Sequence, residues 1–260
     1  MTTISVITIC FNNLEELQKT CASIDAQTLH PQEHWIINGS TQPHIAEWLA
    51  NHPQPAYRKW LNERDQGISD AFNKGITQAT QDYTHLLHAG DVYADNQVLE
   101  DVMTFLDKHP NIDWISGRIT TNRGGVMVEV GKPFDAGKLY RGMRSVAHPT
   151  WFVRRAVYDQ VGLFSLDEKI AMDYDLLCRL TQCSYVFFPR VITRFDHTGT
   201  SNQHYLQSLR DNVRIYEKYF GFSIACRLWQ GRLYFLHQLL QTKLGKQLML
   251  LKKRLGLENM

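Results

Sequence analysis

The first half of the chain alternates short apolar runs with stretches in which apolar residues recur every three or four positions. Ile4 to Phe11 is a largely apolar, β-branched run, typical of a buried parallel strand. Asn13 stands three positions before Glu16, the spacing of a capping box, so a helix is predicted to begin there. The same patterns predict further strands at 34–37, 57–62 and 83–87, and further helices at 45–49, 69–79 and 98–106. Strands that alternate with helices predict a doubly wound α/β sheet.

The second half is less regular, but it contains no repeat and no low-complexity linker. A hairpin is predicted over 113–122 and 126–130, a strand at 150–153, a helix at 173–181, and strand segments at 185–188 and 191–195 on either side of Pro189. We therefore predict one domain over residues 1–220, followed by a helical extension over 221–260.

Composition and cysteine usage narrow the class of protein. The 260 residues are 43% hydrophobic, enough for a core that needs no disulfides. The five cysteines form no CxxC pair and are odd in number, which favours free thiols in a reducing cytoplasm. The opening MTTISVITIC lacks a basic segment before its apolar run, so it is predicted to be the first strand, not a signal peptide. No apolar run is long enough to cross a bilayer.

The charge is unevenly distributed along the chain. Residues 221–260 contain seven Lys or Arg and one acid, although the whole chain carries only +2, so the remaining body is slightly acidic and is not expected to bind nucleic acid. The extension places basic residues among Leu, Trp and Phe at helical spacing, as interfacial membrane helices do. Packing on the domain or on a second copy in a homodimer is the alternative.

Polar residues follow the predicted strands at their carboxyl ends. Asn12, Asn38 to Ser40, Arg64-Asp65 and His88 to Asp91 all occupy such positions. Ligands of doubly wound sheets bind beyond these strand ends, so the four groups are predicted to form one site. The stretch THLLHAGDVYAD places one carboxylate, Asp91, beside a glycine at a strand end.

Several ordered motifs resemble the inverting nucleotide-sugar glycosyltransferases of family 2. These are SVITICFNN, INGST, DQGISDAFNKGI followed by a strand and HAGD, and HPTWFVRRAVYDQVGLFSLDEKIAMDYDLLCRL, so the resemblance extends from residue 4 to about residue 200. It implies a GT-A fold, with a mixed, mainly parallel sheet flanked by helices, and C-terminal amphipathic helices after it. The implied reaction moves a sugar from a nucleoside-diphosphate sugar to an acceptor hydroxyl.

The resemblance also implies a metal site and a catalytic base. Asp91 matches the last Asp of the family's metal-binding region and is expected to bind Mn²⁺ or Mg²⁺ together with the donor diphosphate. His88 and His197 are each either further ligands, which would favour manganese, or structural histidines. Asp173 matches the general base, although an Asp at the start of a helix is also a common N-cap.

Donor and acceptor contacts follow from the same matches. His148 and Arg154 are expected on the acceptor side, with a core histidine and an ordinary surface arginine as the alternative. Asp175 is expected to be a structural or acceptor-orienting contact, with Arg179 as its helical partner. UDP is expected as the nucleotide more than GDP or dTDP, although Asn38 stands where relatives carry an Asp. Asp70 and Lys74 are also spaced for an ordinary helix-surface pair. The expected donor-side residues are Thr8, Cys10, Phe11, Asn38, Asp65, Asp70, Lys74 and Gly90.

The resemblance and the basic extension together suggest a lipid-linked glycan acceptor, as in O-antigen or capsule assembly, at the inner face of the cytoplasmic membrane. A catalytically inactive glycosyltransferase-like scaffold remains an alternative, because His88, Gly90 and Asn38 depart from the usual pattern. A sugar-phosphate nucleotidyltransferase is a second alternative, although CFNNLEE is not a phosphate-binding loop. A dehydrogenase is excluded, because no GxGxxG follows the first strand.

Overall fold

A computed structural model describes residues 1–123, 125–143, 146–195, 204–242, 245 and 247. Within these residues the strands are β1 (Ile4–Cys10), β2 (Glu33–Asn38), β3 (Arg58–Asn62), β4 (Tyr83–Leu86), β5 (Val92–Tyr93), β6 (Trp114–Arg123), β7 (Val126–Val130), β8 (Phe152–Arg154) and β9 (Tyr185–Phe195). The helices are α1 (Leu14–Asp25), α2 (His44–Asn51), α3 (Ile68–Gln78), α4 (Val98–Asp107), α5 (Val157–Val161), α6 (Met172–Arg179), α7 (Tyr205–Phe220) and α8 (Ile224–Gln241). Short 3₁₀ segments occupy Ala136–Arg141, His148–Thr150 and Leu180–Gln182.

The nine described strands form one mixed sheet in the order β3-β2-β1-β4-β8-β6-β9-β5, with β7 paired to β6. β3, β2, β1 and β4 run parallel, so their carboxyl ends meet at one edge. β8 is antiparallel to both β4 and β6, and it joins the two halves of the sheet. The predicted doubly wound α/β architecture is confirmed.

Side chains alternate across β1 and fix which helix covers which face. Ile7 and Ile9 pack with Phe72 and Ile76 of α3 on one face. Cys10, on the other face, packs with α1 and α2. α3 lies so close to the sheet that a Cβ on Gly75 would stand 2.3 Å from Cγ2 of Ile7. This tight packing brings the first turn of α3 to the carboxyl edge of the strands.

The structure also corrects several local predictions. Asn13 is the N-cap residue of α1, as predicted, but its side chain makes no capping hydrogen bond and instead accepts one from the amide of Phe11 (2.8 Å). β9 runs through Pro189 as one strand, and its register with β6 shifts at that point. A bulge accommodates the missing amide hydrogen of a proline within a sheet. Asp173 is the second residue of α6, not its N-cap, which is Ala171.

Two further expectations concern redox state and the membrane. All five cysteines are free thiols. None of the helices in the described part of the chain is both long and apolar enough to span a bilayer.

Candidate functional site

The turn after β4, His88-Ala89-Gly90-Asp91, lies at the carboxyl edge of the sheet and is held from below by α1. The buried hydroxyl of Thr20 lies 2.8 Å from the carbonyl oxygen of Asp91 and 3.3 Å from that of His88, and it accepts a hydrogen bond from the amide of Gly90 (2.9 Å). Gly90 has a φ of +106°, a conformation that favours glycine. One threonine therefore fixes the shape of the turn that carries Asp91.

His88 turns its ring toward the second half of the protein. The ring lies edge-on to Phe72, with centroids 4.8 Å apart, and 6.3 Å from the ring of His148. Burial lowers the pKa of His88 to about 4; His148 adds to this lowering and Asp173 opposes it. A neutral imidazole in this position is free of a competing proton, which is the form that binds metals.

The ends of β2 and β3 form a polar cleft of about 270 Å³. The side-chain Nδ2 of Asn38 donates to Oδ1 of Asn62 (2.9 Å). Oδ1 of Asn38 accepts a hydrogen bond from the backbone amide of Ser40 (3.1 Å). The carboxylate of Asp65 lies directly over Gly39, where a Cβ would stand 1.7 Å from Oδ2. Asn38 lines this cleft, and Asp65 lies next to it over Gly39. Phe11, which directly follows β1, is exposed. The cleft is lined by Asn38, Ser40, Thr41, Gln42, Pro43, Ala46, Asn62, Glu63 and Arg64.

The side chains of Asp70 and Lys74 stabilise the loop before α3. Asp70 accepts a hydrogen bond from the amide of Gln66 (2.9 Å), while Nζ of Lys74 lies 2.7 Å from Glu63, 2.7 Å from the carbonyl of Arg64 and 3.4 Å from Asp70. Glu63 and Asp70 hold the pKa of Lys74 above its usual range, against the effect of burial. This arrangement agrees with the helix-pair alternative and still places one ammonium beside the cleft.

Asp173 projects from the first turn of α6, and its side chain is 30% exposed. Its oxygen Oδ1 is buried and accepts no hydrogen bond. Burial raises the pKa of this carboxyl group to about 6, which nearby His88 partly opposes. A carboxylate that is neither solvated nor hydrogen-bonded at one oxygen is a stronger base than an ordinary aspartate, as general-base catalysis requires.

His148 connects Asp173 with the turn after β4. Its Nε2 lies 3.9 Å from Oδ1 of Asp173, and its ring packs edge-on against Trp151 and Phe164 at 5.0 and 5.9 Å. Burial lowers the pKa of His148 to about 3, so the imidazole is neutral. The contacts from His88 to His148 to Asp173 place the expected base and the expected metal-binding turn on one surface.

The structure does not bring every expected residue to this surface. The buried Thr8 hydroxyl pairs with Nε2 of His34 (2.9 Å) between the strands. Cys10 ends β1 with its thiol 3.7 Å from Oδ1 of Asn38, and burial raises its pKa to about 12, so it is a neutral neighbour of the cleft. Arg154 stacks on Tyr83 at the opposite edge of the sheet (4.7 Å). Asp175 is buried against α7, and His197 lies outside the described residues.

Sequence reasoning missed one residue that shapes the site, Thr20, and it did not explain a second, Gly39. Thr20 occupies the helix face that includes Leu17 and Cys21, and a lone polar residue on such a face was the available signal. Gly39 precedes Ser40 at the end of β2, and only the approach of Asp65 shows why it must lack a side chain.

A mainly parallel sheet with amides and carboxylates at its carboxyl edge, and with Asp91 and Asp173 beside that edge, defines a GT-A transferase. The chain belongs to glycosyl transferase family 2, whose family profile matches residues 5–162. An uncharacterized glycosyltransferase of Mycobacterium tuberculosis is 30% identical over 203 residues, which cover 77% of each chain. A PGL/p-HBAD biosynthesis glycosyltransferase of Mycobacterium bovis is 24% identical over 80% of this chain and 79% of its own.

Solved structures confirm the fold. Staphylococcus aureus TarS 1-349 in complex with UDP-GlcNAc superimposes with a TM-score of 0.62 and 16% identity, covering 92% of this chain and 72% of TarS 1-349. The mannosyltransferase PcManGT of Pyrobaculum calidifontis, in complex with GDP-Man and Mn²⁺, superimposes with a TM-score of 0.62 and 14% identity, covering 99% of this chain and 81% of its own.

Proposed function

We propose that this glycosyltransferase inverts the anomeric centre of a nucleoside-diphosphate sugar and that Asp173 is its general base. The observation that carries the proposal is the buried, unbonded Oδ1 of Asp173 at the carboxyl edge of the sheet. An inverting transfer needs a base on the face of the sugar opposite the leaving diphosphate. The environment of Asp173 supplies a carboxylate with raised proton affinity.

The reaction balances with one proton acceptor. The acceptor hydroxyl gives its proton to Asp173 while its oxygen forms the new bond to the anomeric carbon. The bond from that carbon to the diphosphate breaks at the same time, and the nucleoside diphosphate leaves with the electron pair. His148 lies against Asp173 and restricts the orientation of its carboxylate.

We propose that a divalent cation binds at the turn after β4. Among the described residues no group of three or more His, Cys, Asp or Glu side chains is arranged to hold a metal ion. Asp91 would therefore supply one hard oxygen ligand, with diphosphate oxygens and water completing the shell, as Mg²⁺ and Mn²⁺ accept. His88 offers a neutral imidazole as a further ligand, which suits manganese. The bound cation would offset the charge that develops on the departing diphosphate.

The cleft at the ends of β2 and β3 is proposed to hold the nucleoside, with Asn38 in its lining and Asp65 next to it as polar contacts. The exposed ring of Phe11 is proposed to contact the same nucleotide. We propose UDP as the nucleotide. TarS 1-349 is solved with UDP and with UDP-GlcNAc, whereas PcManGT is solved with GDP-Man, so GDP is the natural competitor.

The test combines nucleotide binding with sugar transfer. We expect UDP to raise the melting temperature more than GDP, dTDP or CMP, and to require Mn²⁺ or Mg²⁺; a ligand at 100 times its Kd stabilises a fold by about 2.7 kcal/mol. Asp91→Ala should lose the metal-dependent shift in melting temperature. Asp173→Asn should keep the UDP-dependent shift and lose transfer by about 10²- to 10⁴-fold. Wild-type transfer in Asp173→Asn would refute the proposed base.

The acceptor is proposed to be a lipid-linked glycan reached by peripheral contact of α8 with the cytoplasmic membrane. Ile224, Leu228 and Phe235 of α8 are 64%, 69% and 66% exposed and share one helix face. The opposite face, with Cys226 and Leu233, packs on the domain. An exposed apolar stripe in an extension with seven basic residues suits an anionic lipid surface.

A further inference from the structure

Helix α7 inserts side chains toward two buried carboxylates that flank the proposed base in sequence. Arg214 of α7 binds both oxygens of Glu168, with Nη1 and Nη2 at 2.6 and 2.5 Å. One turn further along α7, Nζ of Lys218 lies 3.1 Å from Oδ1 of Asp175, and the Tyr219 hydroxyl donates to the same oxygen (2.8 Å). The segment that carries Asp173 is therefore held by α7 on both sides.

Asp175 is saturated with donors. Its Oδ2 accepts from Nε and Nη2 of Arg179 at 3.1 and 2.8 Å, in addition to the two bonds at Oδ1. Arg179 also donates through Nη1 to the carbonyls of Val161 and Gly162 at 2.6 and 2.8 Å. Burial alone would raise the pKa of Asp175, but Tyr219, Arg179 and Lys218 outweigh it and hold the pKa below its usual value. The carboxylate is thus held in its ionised form, and with donors on both oxygens and a lowered pKa it is a weak proton acceptor.

The spacing of Asp173 and Asp175 connects the two environments. Residues two positions apart in an α-helix are separated by about 200° around the helix axis. The carboxylates of Asp173 and Asp175 therefore point to opposite sides of α6. Asp175 faces α7 and Asp173 faces the site. Any rotation of α6 that moved Asp173 would have to break the bonds of Asp175.

We propose that Lys218 and Tyr219 are positioning residues that orient Asp173 through Asp175. The inference rests on the proposed role of Asp173 as the base and extends it to a helix outside the cleft. Fixing the rotation of α6 keeps the carboxylate of Asp173 within reach of the acceptor hydroxyl. A displacement of about 1 Å at a reacting group costs up to about 10²-fold in rate.

A matched ion pair elsewhere separates positioning from plain stabilisation. Lys59 binds the buried Glu33 at 2.9 Å at the amino end of β2, away from the site. The side chains of Lys59 and Glu33 are 47% and 4% exposed, against 49% and 1% for Lys218 and Asp175. Lys59→Met and Lys218→Met therefore remove the same chemical group from nearly the same surroundings.

The experiment compares stability, donor binding and turnover in these two variants. We expect both to lower the melting temperature by a similar amount and both to keep the wild-type UDP affinity. Only Lys218→Met should lower kcat, by about 10- to 100-fold, with the donor KM unchanged. Lys218→Arg should restore most of kcat, because a guanidinium can still bind Oδ1 of Asp175.

Two additional variants keep the inference testable. Tyr219→Phe removes one hydrogen bond from an uncharged donor to Asp175 and also should lower kcat, so it can replace Lys218→Met if that variant fails to fold. In an Asp173→Asn background, Lys218→Met should cause no further loss of residual transfer, because its effect passes through Asp173. Equal kcat values for the folded Lys59→Met and Lys218→Met proteins would overturn the proposal. Wild-type transfer in Asp173→Asn would instead refute the base assignment itself.

Discussion

At the scale of single residues, Asp173 and its neighbour His148 differ in how burial changes their charge. Burial raises the pKa of Asp173 to about 6 and lowers that of His148 to about 3. Between these values both groups are neutral, and above pH 6 only the carboxylate is charged. Of these two groups, only Asp173 therefore changes its charge between pH 5 and pH 8, the range of an enzyme assay.

The rate of transfer should fall on the acidic side with an apparent pKa near 6. Asp173 must be ionised to accept a proton, and below pH 6 most of it is protonated. We expect kcat at pH 5 to be about one tenth of its value at pH 7.5. The measurement is the initial rate from pH 5 to 8 at saturating substrates and metal, with UDP binding measured over the same range. A rate that stays level down to pH 4.5 would contradict the assignment.

Thr20→Val should weaken metal-dependent nucleotide binding. Valine has the shape of threonine but cannot donate to the carbonyl of Asp91 or accept from the amide of Gly90. We expect a loss of about 1–3 kcal/mol in the free energy of unfolding and a higher Kd for Mn²⁺, measured by urea unfolding and by metal titration. Thr20→Ser keeps the hydroxyl and should stay near wild type. An unchanged Kd for Mn²⁺ in Thr20→Val would show that the turn keeps its shape without this hydroxyl.

The motifs identified residue types better than the directions of their side chains. Asp91 and Asp173 were placed at the site because the resemblance carries whole motifs. Asp175 lies in the same motif as Asp173, but α7 covers it, and α7 was not among the predicted elements. Arg154 was expected near the acceptor, but its position in β8 brings it to the opposite edge. The direction of a side chain depends on which helix or strand packs against it, and the sequence motif does not contain that information.

At the scale of elements, the spacing of apolar residues predicts a strand or helix correctly where one face of that element packs on its neighbours in the sheet. The predicted helix at 69–79 differs from α3 by one residue at each end, because Gly67 and the apolar face of α3 define it. α7 was missed, although Leu209, Val213 and Tyr216 recur at helical spacing. α7 buries Leu209 and Ile215, but it also pairs with the buried carboxylates of Glu168 and Asp175, and a search for apolar faces does not detect those charged contacts.

Arg154→Met should lower stability without a specific effect on catalysis. The guanidinium donates to the carbonyls of Pro110 (2.6 Å) and Ile112 (3.1 Å) and to the hydroxyl of Tyr83 (2.7 Å) where β8 meets β4. Its removal takes the donor from the carbonyl of Pro110, while the Tyr83 hydroxyl still donates to that of Ile112, at a cost of about 1–3 kcal/mol in the free energy of unfolding. Urea unfolding and steady-state kinetics measure the two effects. A higher acceptor KM with unchanged stability would return Arg154 to the acceptor site.

At the scale of the whole molecule, the exposed apolar stripe on α8 belongs to a basic extension, whereas residues 1–220 are slightly acidic. Val126 and Met127 are similarly exposed, at 63% and 57%, but they lie on the β6–β7 hairpin. Their substitution provides a control for loss of exposed apolar surface.

Leu228→Ser with Phe235→Ser should reduce binding to vesicles that contain anionic phospholipid. We expect the wild type to co-sediment with these vesicles, with weaker binding at high salt, because basic residues contribute up to about 1 kcal/mol each near an anionic surface. Val126→Ser with Met127→Ser should bind as the wild type does. If the wild-type protein sediments as a dimer and does not bind vesicles, the apolar stripe on α8 is instead a dimer interface with a second copy of the chain.

β8 has a further consequence for how substrates exchange. It is three residues long, yet it hydrogen-bonds to β4 on one side and β6 on the other, so a single ladder crosses the molecule. A continuous ladder leaves no hinge along which the two halves of the sheet could close over a bound sugar. Exclusion of water from a bound donor would therefore have to come from the loops above the carboxyl edge, and not from closure of the two halves of the sheet.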